Sequence, residues 1–355
     1  SAIRVIYLVM DKINSIKKLI IPASSFGSRL DHALVELIPE YSRAKIQSLI
    51  KGESILINDK KTSSKVKVLG GEAVTIIDNP SSDLNDQPEE IDLEIIYEDE
   101  DVLVINKQKG LVVHPGSGNL NGTLLNALIY HYPNNESLPR GGIVHRLDKD
   151  TTGLMVVARN ESSQNNLVEQ LQSKSVYREY RAIVWGQLWK DKVLNKPIGR
   201  HPKQRTKMAI NKVNGKEAVT KMEILERFNF HSYIRCLLQT GRTHQIRVHM
   251  ADNQSPIVGD PTYGMKKIIP TRKIDPELLQ AVKDFDRQAL HAISLGLVHP
   301  KSGKKMKWTI DLPDDMKSLL STIRTESERN LIDDKDILFL EPSYEINQPI
   351  EFDDE

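Results

Sequence analysis

Residues 78–92, D-N-P-S-S-D-L-N-D-Q-P-E-E-I-D, set the first limit on what this chain can fold into. Acid, proline and serine dominate them, and such a segment repels itself and has too little apolar surface to offset the entropy lost on packing. The chain is therefore expected to fold as two domains joined by a flexible acidic linker at 78–92, an arrangement that its 355 residues also favour over a single core. The acidity extends further. Residues 78–101 hold 11 acidic side chains and no basic one, and residues 330–355 hold 9 acidic side chains against one lysine. Because the whole chain is nearly neutral at +1, the remainder carries +20. A surplus of that size marks a candidate nucleic-acid binder, against the plainer reading of lysines and arginines scattered over a solvated surface. Residues 330–355 read as an acidic, disordered tail.

Other classes are disfavoured. No apolar run approaches the roughly 18 to 20 residues that cross a bilayer, and Val5 to Met10 lacks the length and cleavage site of a signal peptide. No membrane association and a cytoplasmic location are expected. A single cysteine, Cys236, excludes an internal disulfide, and its setting in Y-I-R-C-L-L is that of a small core residue. Gly116, Gly118 and Gly122 are spaced G-x-G-x-x-x-G behind His114-Pro115, a poor dinucleotide signal. The chain holds no H-E-x-x-H, C-x-x-C or G-x-S-x-G. On a helix, His244 and His249 diverge by about 140° and do not share an ion. A magnesium ion between Asp148 and Asp150 is the metal arrangement left open.

Taken in order, S-R-L-D at Ser28 to Asp31 opens a helix with Leu30, Leu34, Leu37 and Ile38 at helical spacing, ending near Pro39. Ser42 is a good N-cap for a second helix that buries Ile46, Leu49 and Ile50, presents Arg43, Lys45 and Lys51, and ends at Gly52. Short strands follow at 55–57 and 73–77, with a basic turn carrying Lys60 and Lys61. Beyond the linker, 94–98 and 102–105 suggest a hairpin, and Thr123 caps a short helix. The densest stretch is Gly142 to Arg159, G-I-V-H-R-L-D-K-D-T-T-G-L-M-V-V-A-R, in which an ionisable turn runs into the apolar strand Leu154 to Ala158. Asn160 caps the next helix, to about Gln172; 176–185 reads as a strand and 220–228 with 233–240 as an antiparallel pair. Thr243 is the expected cap of a helix reaching Met250, and 291–300 pairs with 306–310 as a last hairpin. Hairpin-like strands outnumber crossovers, so the fold class expected is α/β of the α+β kind, with a mixed, largely antiparallel sheet and a central cleft.

The arrangement R-L-D, then S-R-x-x-x-x-x-I-x-x-G, then strand and turn, resembles the S4 RNA-binding domain over residues 26–77. That resemblance implies RNA contacts from Arg29, Ser42, Arg43, Lys45 and Lys60. A helix N-terminus with adjacent cations is a natural phosphate site. The stretch Gly142 to Arg159 looks like the signature of the RluA-type pseudouridine synthases. K-S-V-Y-R-E-Y-R-A-I-V-W-G, L-Q-T-G-R-T-H-Q-I-R-V-H, V-G-D-P-T-Y-G and H-A-I-S-L-G-L-V-H-P resemble that family's other segments in the same order, placing a catalytic domain at 93–325. Within the family the resemblance is nearest to the large-subunit ribosomal RNA synthase D subgroup.

It implies that Asp148 is the nucleophile, that Tyr180 stacks on the target uracil and takes the proton at C5, that Arg242 pairs with Asp148, and that Arg146 fills the space left by the flipped uridine. Tyr177 is the near neighbour confusable with Tyr180. The implied reaction breaks N1–C1′, turns the uracil and joins C5 to C1′, gaining and losing no atom, so no cofactor is expected. Whether the carboxylate adds at C6, traps C1′ or promotes elimination stays open. The implied partner is large-subunit ribosomal RNA or a pre-ribosomal particle, with the stem-loop known as helix 69 as target and the enzyme acting as a monomer. A non-catalytic RNA-binding or ribosome-assembly factor would also use the positive charge and the S4-like module, but has no need of Asp148, Tyr180 and Arg242 together.

Overall fold

The computed structural model describes residues 15–38, 43–78, 87–116, 118–204, 206–267, 274–329 and 341–342, and the chain divides into a unit ending at Leu84 and a unit beginning at Asn85. In the N-terminal unit β1 (Ser15–Ile20), α1 (Leu30–Leu37), α2 (Arg43–Lys51), β2 (Ile55–Ile57), β3 (Lys60–Lys61) and β4 (Ala73–Asp78) follow in order, and the four strands form an antiparallel sheet β1-β4-β2-β3. Leu30, Ala33 and Leu34 of α1 and Ile46 and Ile50 of α2 face Ile55, Val74 and Ile76, giving the unit its own core. Ser42, expected to cap α2, and the side chain of Lys45 lie outside the described residues.

In the second unit β5 (Glu94–Glu98) and β6 (Val102–Lys107) form the expected hairpin, followed by α3 (Leu124–His131), β7 (Thr152–Ala158), α4 (Glu161–Gln172) and β8 (Tyr177–Trp185). Then come β9 (Lys192–Asn195), β10 (Ile198–Arg200), β11 (Met208–Ile210), β12 (Val219–Arg227), β13 (His231–Leu238), α5 (Gln245–Asp252) and β14 (Met265–Lys267). The described residues close with α6 (Pro276–Asp284), β15 (Leu290–Val298), β16 (Lys305–Thr309), α7 (Asp314–Arg329) and β17 (Glu341–Pro342). Nine strands make one sheet, β5-β6-β7-β15-β8-β13-β12-β9 with β16 beside β15. Every pairing in it is antiparallel except β7 with β15, so the sheet is mixed and largely antiparallel, as the hairpin pattern required.

The helix starts at Thr123 and Asn160 are capped as their sequence predicts: the Asn126 amide donates to the Thr123 hydroxyl and the Ser163 amide to the Asn160 side chain. Three expectations need correction. Residues 87–92 do not behave as free linker: the Asn126 side chain donates to the Gln87 carbonyl, the Gly122 amide to Glu89, and Ile91 packs on the core. One apolar side chain and two acceptors suffice to seat what its composition called soluble. Of the acidic tail, Glu341–Pro342 pair with β14, which carries residues of a basic segment. The cap of α5 is His244, left-handed at φ 58°, and not Thr243.

Candidate active site

Asp148 sits in the loop that leads into β7, and the loop is fixed from beneath. Leu147 is buried in the main core, and Asn135 donates to the carbonyls of Gly141 and Ala158 at 2.8 and 2.9 Å. Gly142 lies at φ +82° with its missing side chain 2.1 Å from the Ala158 carbonyl, a left-handed turn against backbone that only glycine fits. Lys107, fully buried, donates to the carbonyls of Gln108, Leu111 and Lys149. Burial pushes its ammonium down to about 7, against the opposing pull of Asp150 and Asp148. Arg287 binds the Asp150 carbonyl, and Gln288 the Thr151 hydroxyl. Downstream, Thr152 holds His291 at 2.7 Å. Gly153, at φ +116°, lets β7 lie against Ala292 of β15.

This loop, β8 and the start of α5 enclose a cavity of about 320 Å³. Five arginines line it, Arg140, Arg146, Arg178, Arg242 and Arg247, and Asp148 is the one acid among the lining residues. Tyr180 points into it from β8. Tyr177 lies on the other face of the strand, hydrogen-bonded to Glu179, so the pleat separates the two tyrosines that the sequence left adjacent. Burial pushes the Tyr180 hydroxyl up to about 12; Arg178 opposes this and Asp148 adds to it.

The partner of Asp148 is a correction. The guanidinium on its carboxylate belongs to Arg247, whose Nη1 donates to Oδ2 at 2.9 Å. Arg247 in turn forks onto Asp260 through Nε and Nη2 at 2.7 and 2.9 Å. Burial works against the Arg247 charge, but the bonds and charges of Asp260 and Asp148 outweigh it and hold its pKa above the usual value. Arg242 also lines the cavity, partly buried, with Nε donating to the Glu217 carbonyl at 2.9 Å. It precedes α5, whereas Arg247 is the third residue of the helix. The other Asp148 oxygen, Oδ1, faces His244 Nε2 at 3.9 Å. His244 is hydrogen-bonded through Nδ1 to Tyr263, and burial lowers its pKa against the opposing pull of Asp148. Arg146, the expected gap-filler, is exposed on the lining.

Arg247, Asp260, Lys107 and Arg178 were not singled out by sequence, and His244 was weighed there only as a metal ligand. The one signal for Arg247 is its place in the helical run Q-I-R-V-H-M, every member of which is buried. In the N-terminal unit Arg29 and Arg43 converge on buried Asp31, each through two nitrogens at 3.0 to 3.1 Å, and Gln47 adds a third donor. Both arginines stay partly exposed, at 39% and 48%, and Lys60 is exposed on β3. Among the described residues one grouping could hold a metal, Asp99, Asp101 and His299, and none of its members lines the cavity. The Asp99 carboxylate there already accepts from Asp101, Val102, Tyr97 and His299.

Comparison with known proteins adds an independent line. The sequence pattern of the RNA pseudouridylate synthases matches residues 101–252. Ribosomal large subunit pseudouridine synthase D of Pasteurella multocida is 48% identical over 307 residues, 86% of this chain and 94% of the relative. The protein of the same name from Escherichia coli K12 is 47% identical over 308 residues, 86% of this chain and 94% of its own length. Among solved structures, human RNA pseudouridylate synthase domain containing 4 superposes with a TM-score of 0.50 at 24% identity, covering 65% of this chain and 93% of that one, a likeness of fold.

Proposed function

Since the chain belongs to the RNA pseudouridylate synthase family, we propose that it isomerises uridine to pseudouridine in large-subunit ribosomal RNA, with Asp148 as nucleophile. The observation that carries the assignment is the state of that carboxylate. It is the single acid among the lining residues of an arginine-rich cavity; one oxygen is clamped by Arg247, and the other, Oδ1, has His244 Nε2 at 3.9 Å, beyond hydrogen-bond distance. A clamp on one oxygen aims the other without consuming it, which is the arrangement a nucleophile or a trapping carboxylate needs.

The target uridine leaves its stack at a cost of a few kcal/mol. Tyr180 offsets part of that by stacking on the extruded base, worth roughly 1 to 3 kcal/mol, and exposed Arg146 fills the gap behind it. Arg140 and Arg242 give the flanking phosphates their cations. The N-terminal unit, with the resemblance of its sequence to S4 domains, holds RNA further along the strand through Arg29, Arg43 and Lys60. The synthase D names of the relatives support ribosomal RNA as substrate, and the proposed target is helix 69, modified by a monomeric enzyme in the cytoplasm. No described helix is long and apolar enough to cross a membrane. The test is tritium release from large-subunit ribosomal RNA carrying 5-tritiated uridine: Asp148→Asn is expected to abolish release while RNA affinity changes little. An Asp148→Asn protein with wild-type release sinks the assignment. Mapping pseudouridines in RNA from cells lacking the protein identifies the uridines.

A further inference from the structure

We propose that Arg178 is a catalytic residue that binds the flipped uracil at the inner end of the cavity and stabilises the negative charge that gathers on the ring as the glycosidic bond is remade; this rests on the pseudouridine-forming reading above. Arg178 is 7% exposed and lines the same cavity as Asp148 and Tyr180. Among the described residues its Nε is buried with no hydrogen-bond partner, and its one bond is a long contact of 3.4 Å from Nη2 to the Gln239 carbonyl. Gly241 leaves it room, since a side chain there would meet Nη1 at 2.7 Å. The pleat of β8 explains the isolation. Glu179 points to the opposite face, where Tyr177, Arg181 and Arg235 take its oxygens, so the carboxylate next in sequence is out of reach.

The contrast with two other buried arginines is sharp. Arg247 is forked onto Asp260 and Arg287 onto Asp315. Arg178 alone of the three has no carboxylate at ion-pair distance among the described residues. Keeping a charge out of water without a partner is strongly unfavourable, so the missing partner is expected to arrive with the ligand.

The buried position selects the base over the phosphates. An RNA strand continues on both sides of a flipped nucleotide, so its phosphodiesters stay near the surface, where exposed Arg140 and Arg146 are. Only base and ribose reach Arg178, which stands two residues before Tyr180 on the same face of β8.

The chemistry supplies the anion by more than one route. If N1–C1′ breaks first, its electron pair stays on uracil, spread over N1, O2 and O4, and the electron-deficient C1′ is met by the Asp148 carboxylate. If Asp148 adds to C6, the C5=C6 pair moves into the ring carbonyl as an enolate. In the first route C5 joins C1′ as the Asp148–C1′ bond breaks; in the second, C5 takes C1′ from N1 as the N1–C1′ bond breaks, and Asp148 then leaves C6. In both, C5 loses a proton, N1 gains one, Asp148 returns as a carboxylate, and no co-reactant enters. A preplaced guanidinium directed at a ring carbonyl holds that charge more strongly than the neutral ring, which is the condition for acceleration.

The test uses full-length protein and ribosomal RNA with 5-tritiated uridine, measuring single-turnover tritium release and, separately, filter-binding affinity across salt concentrations. Arg178→Met is expected to slow release by about 10²- to 10³-fold, the range seen when one oxyanion donor is removed, with affinity and salt slope near wild type. Arg178→Lys, which keeps a charge, recovers part of the rate. Gly241→Ala keeps Arg178 but displaces its Nη1; it is expected to slow release by about tenfold or more without a change in melting temperature, and it decides the matter if Arg178→Met fails to fold. Full-rate release by Arg178→Met or by Gly241→Ala overturns the inference. So does a loss confined to affinity with a smaller salt slope, which would make Arg178 a phosphate contact. A wild-type protein that releases no tritium overturns the functional reading itself, whereas an active wild type with an equally active Arg178→Met overturns the inference alone.

Discussion

Replacing Arg247 by methionine tests which of two arginines serves Asp148. Arg247 is 5% exposed and supports two carboxylates, of which Asp260 is fully buried. Without Arg247, Asp260 keeps the backbone donors of Thr262 and Tyr263 but has lost its cation. Breaking a buried pair from one side costs about 3 to 5 kcal/mol. In a domain of this size each kcal/mol moves the melting temperature by about 2 to 4 °C, so a drop of about 6 to 20 °C is expected by scanning calorimetry. The chemical effect is separable. Arg247→Lys keeps the charge yet cannot span Asp260 and Asp148 with one ammonium as the three nitrogens of the fork do. Assayed well below its melting temperature, it is expected to lose about 10²-fold in single-turnover tritium release, the scale of loss from a misplaced reacting group. Arg242→Met removes a partly buried arginine whose Nε meets a carbonyl, and is expected to weaken RNA binding and its salt dependence while saturating RNA restores most of the rate. The reasoning is refuted if Arg242→Met slows chemistry more than Arg247→Met, or if Arg247→Met melts at the wild-type temperature.

Two further outcomes are expected. His231 and His291 are buried, His231 with no hydrogen-bond partner for either ring nitrogen among the described residues, and burial lowers them to about 3 and about 4 from 6.5. The unfolded chain therefore takes up protons through pH 6.5 while the folded chain does not, so stability falls as pH drops from about 7 towards 4, by about 1 to 2 kcal/mol per histidine at pH 5. His231→Phe should flatten the melting-temperature profile below pH 6.5, and an unchanged slope would refute the attribution. In the N-terminal unit, Asp31 is fully buried and gathers Arg29, Arg43 and Gln47. Asp31→Ala should destabilise that unit by about 3 to 5 kcal/mol, visible as faster hydrogen exchange in β1 to β4 and weaker RNA binding, with tritium release retained at saturating RNA. Unaltered exchange would show that the triad is dispensable.

Several elements could be read locally because their causes are local. Thr123 and Asn160 cap helices with their own side chains, and the hairpins β5–β6 and β15–β16 close over a few residues of turn. Asp148 and Tyr180 were found from contiguous motifs, and both line the cavity. The helices α6 and α7 were missed: they are recognised by what they bury, Leu278 and Val282 or Met316, Leu319, Leu320 and Ile323, all in a core shared with distant strands. The half of the linker that docks was missed for the same reason, since Ile91 and Glu89 matter only through partners some 30 to 40 residues away.

By itself the sequence determined that there are two folding units, that the larger carries a mixed sheet, and which contiguous motif holds the one carboxylate among the residues lining the cavity. Composition, period and motif are properties of neighbouring residues, and those suffice for such statements. It did not determine which arginine touches that carboxylate. Arg242 and Arg247 are five residues apart in one motif, and the choice was made by the left-handed turn at His244, by Asp260 drawing Arg247 inward, and by the Glu217 carbonyl holding Arg242. Nor did it distinguish Arg178, whose lack of a partner follows from the pleat of β8 turning Glu179 away. A charge acquires its role from what surrounds it, and in this site those surroundings are assembled from parts of the chain about 100 residues apart.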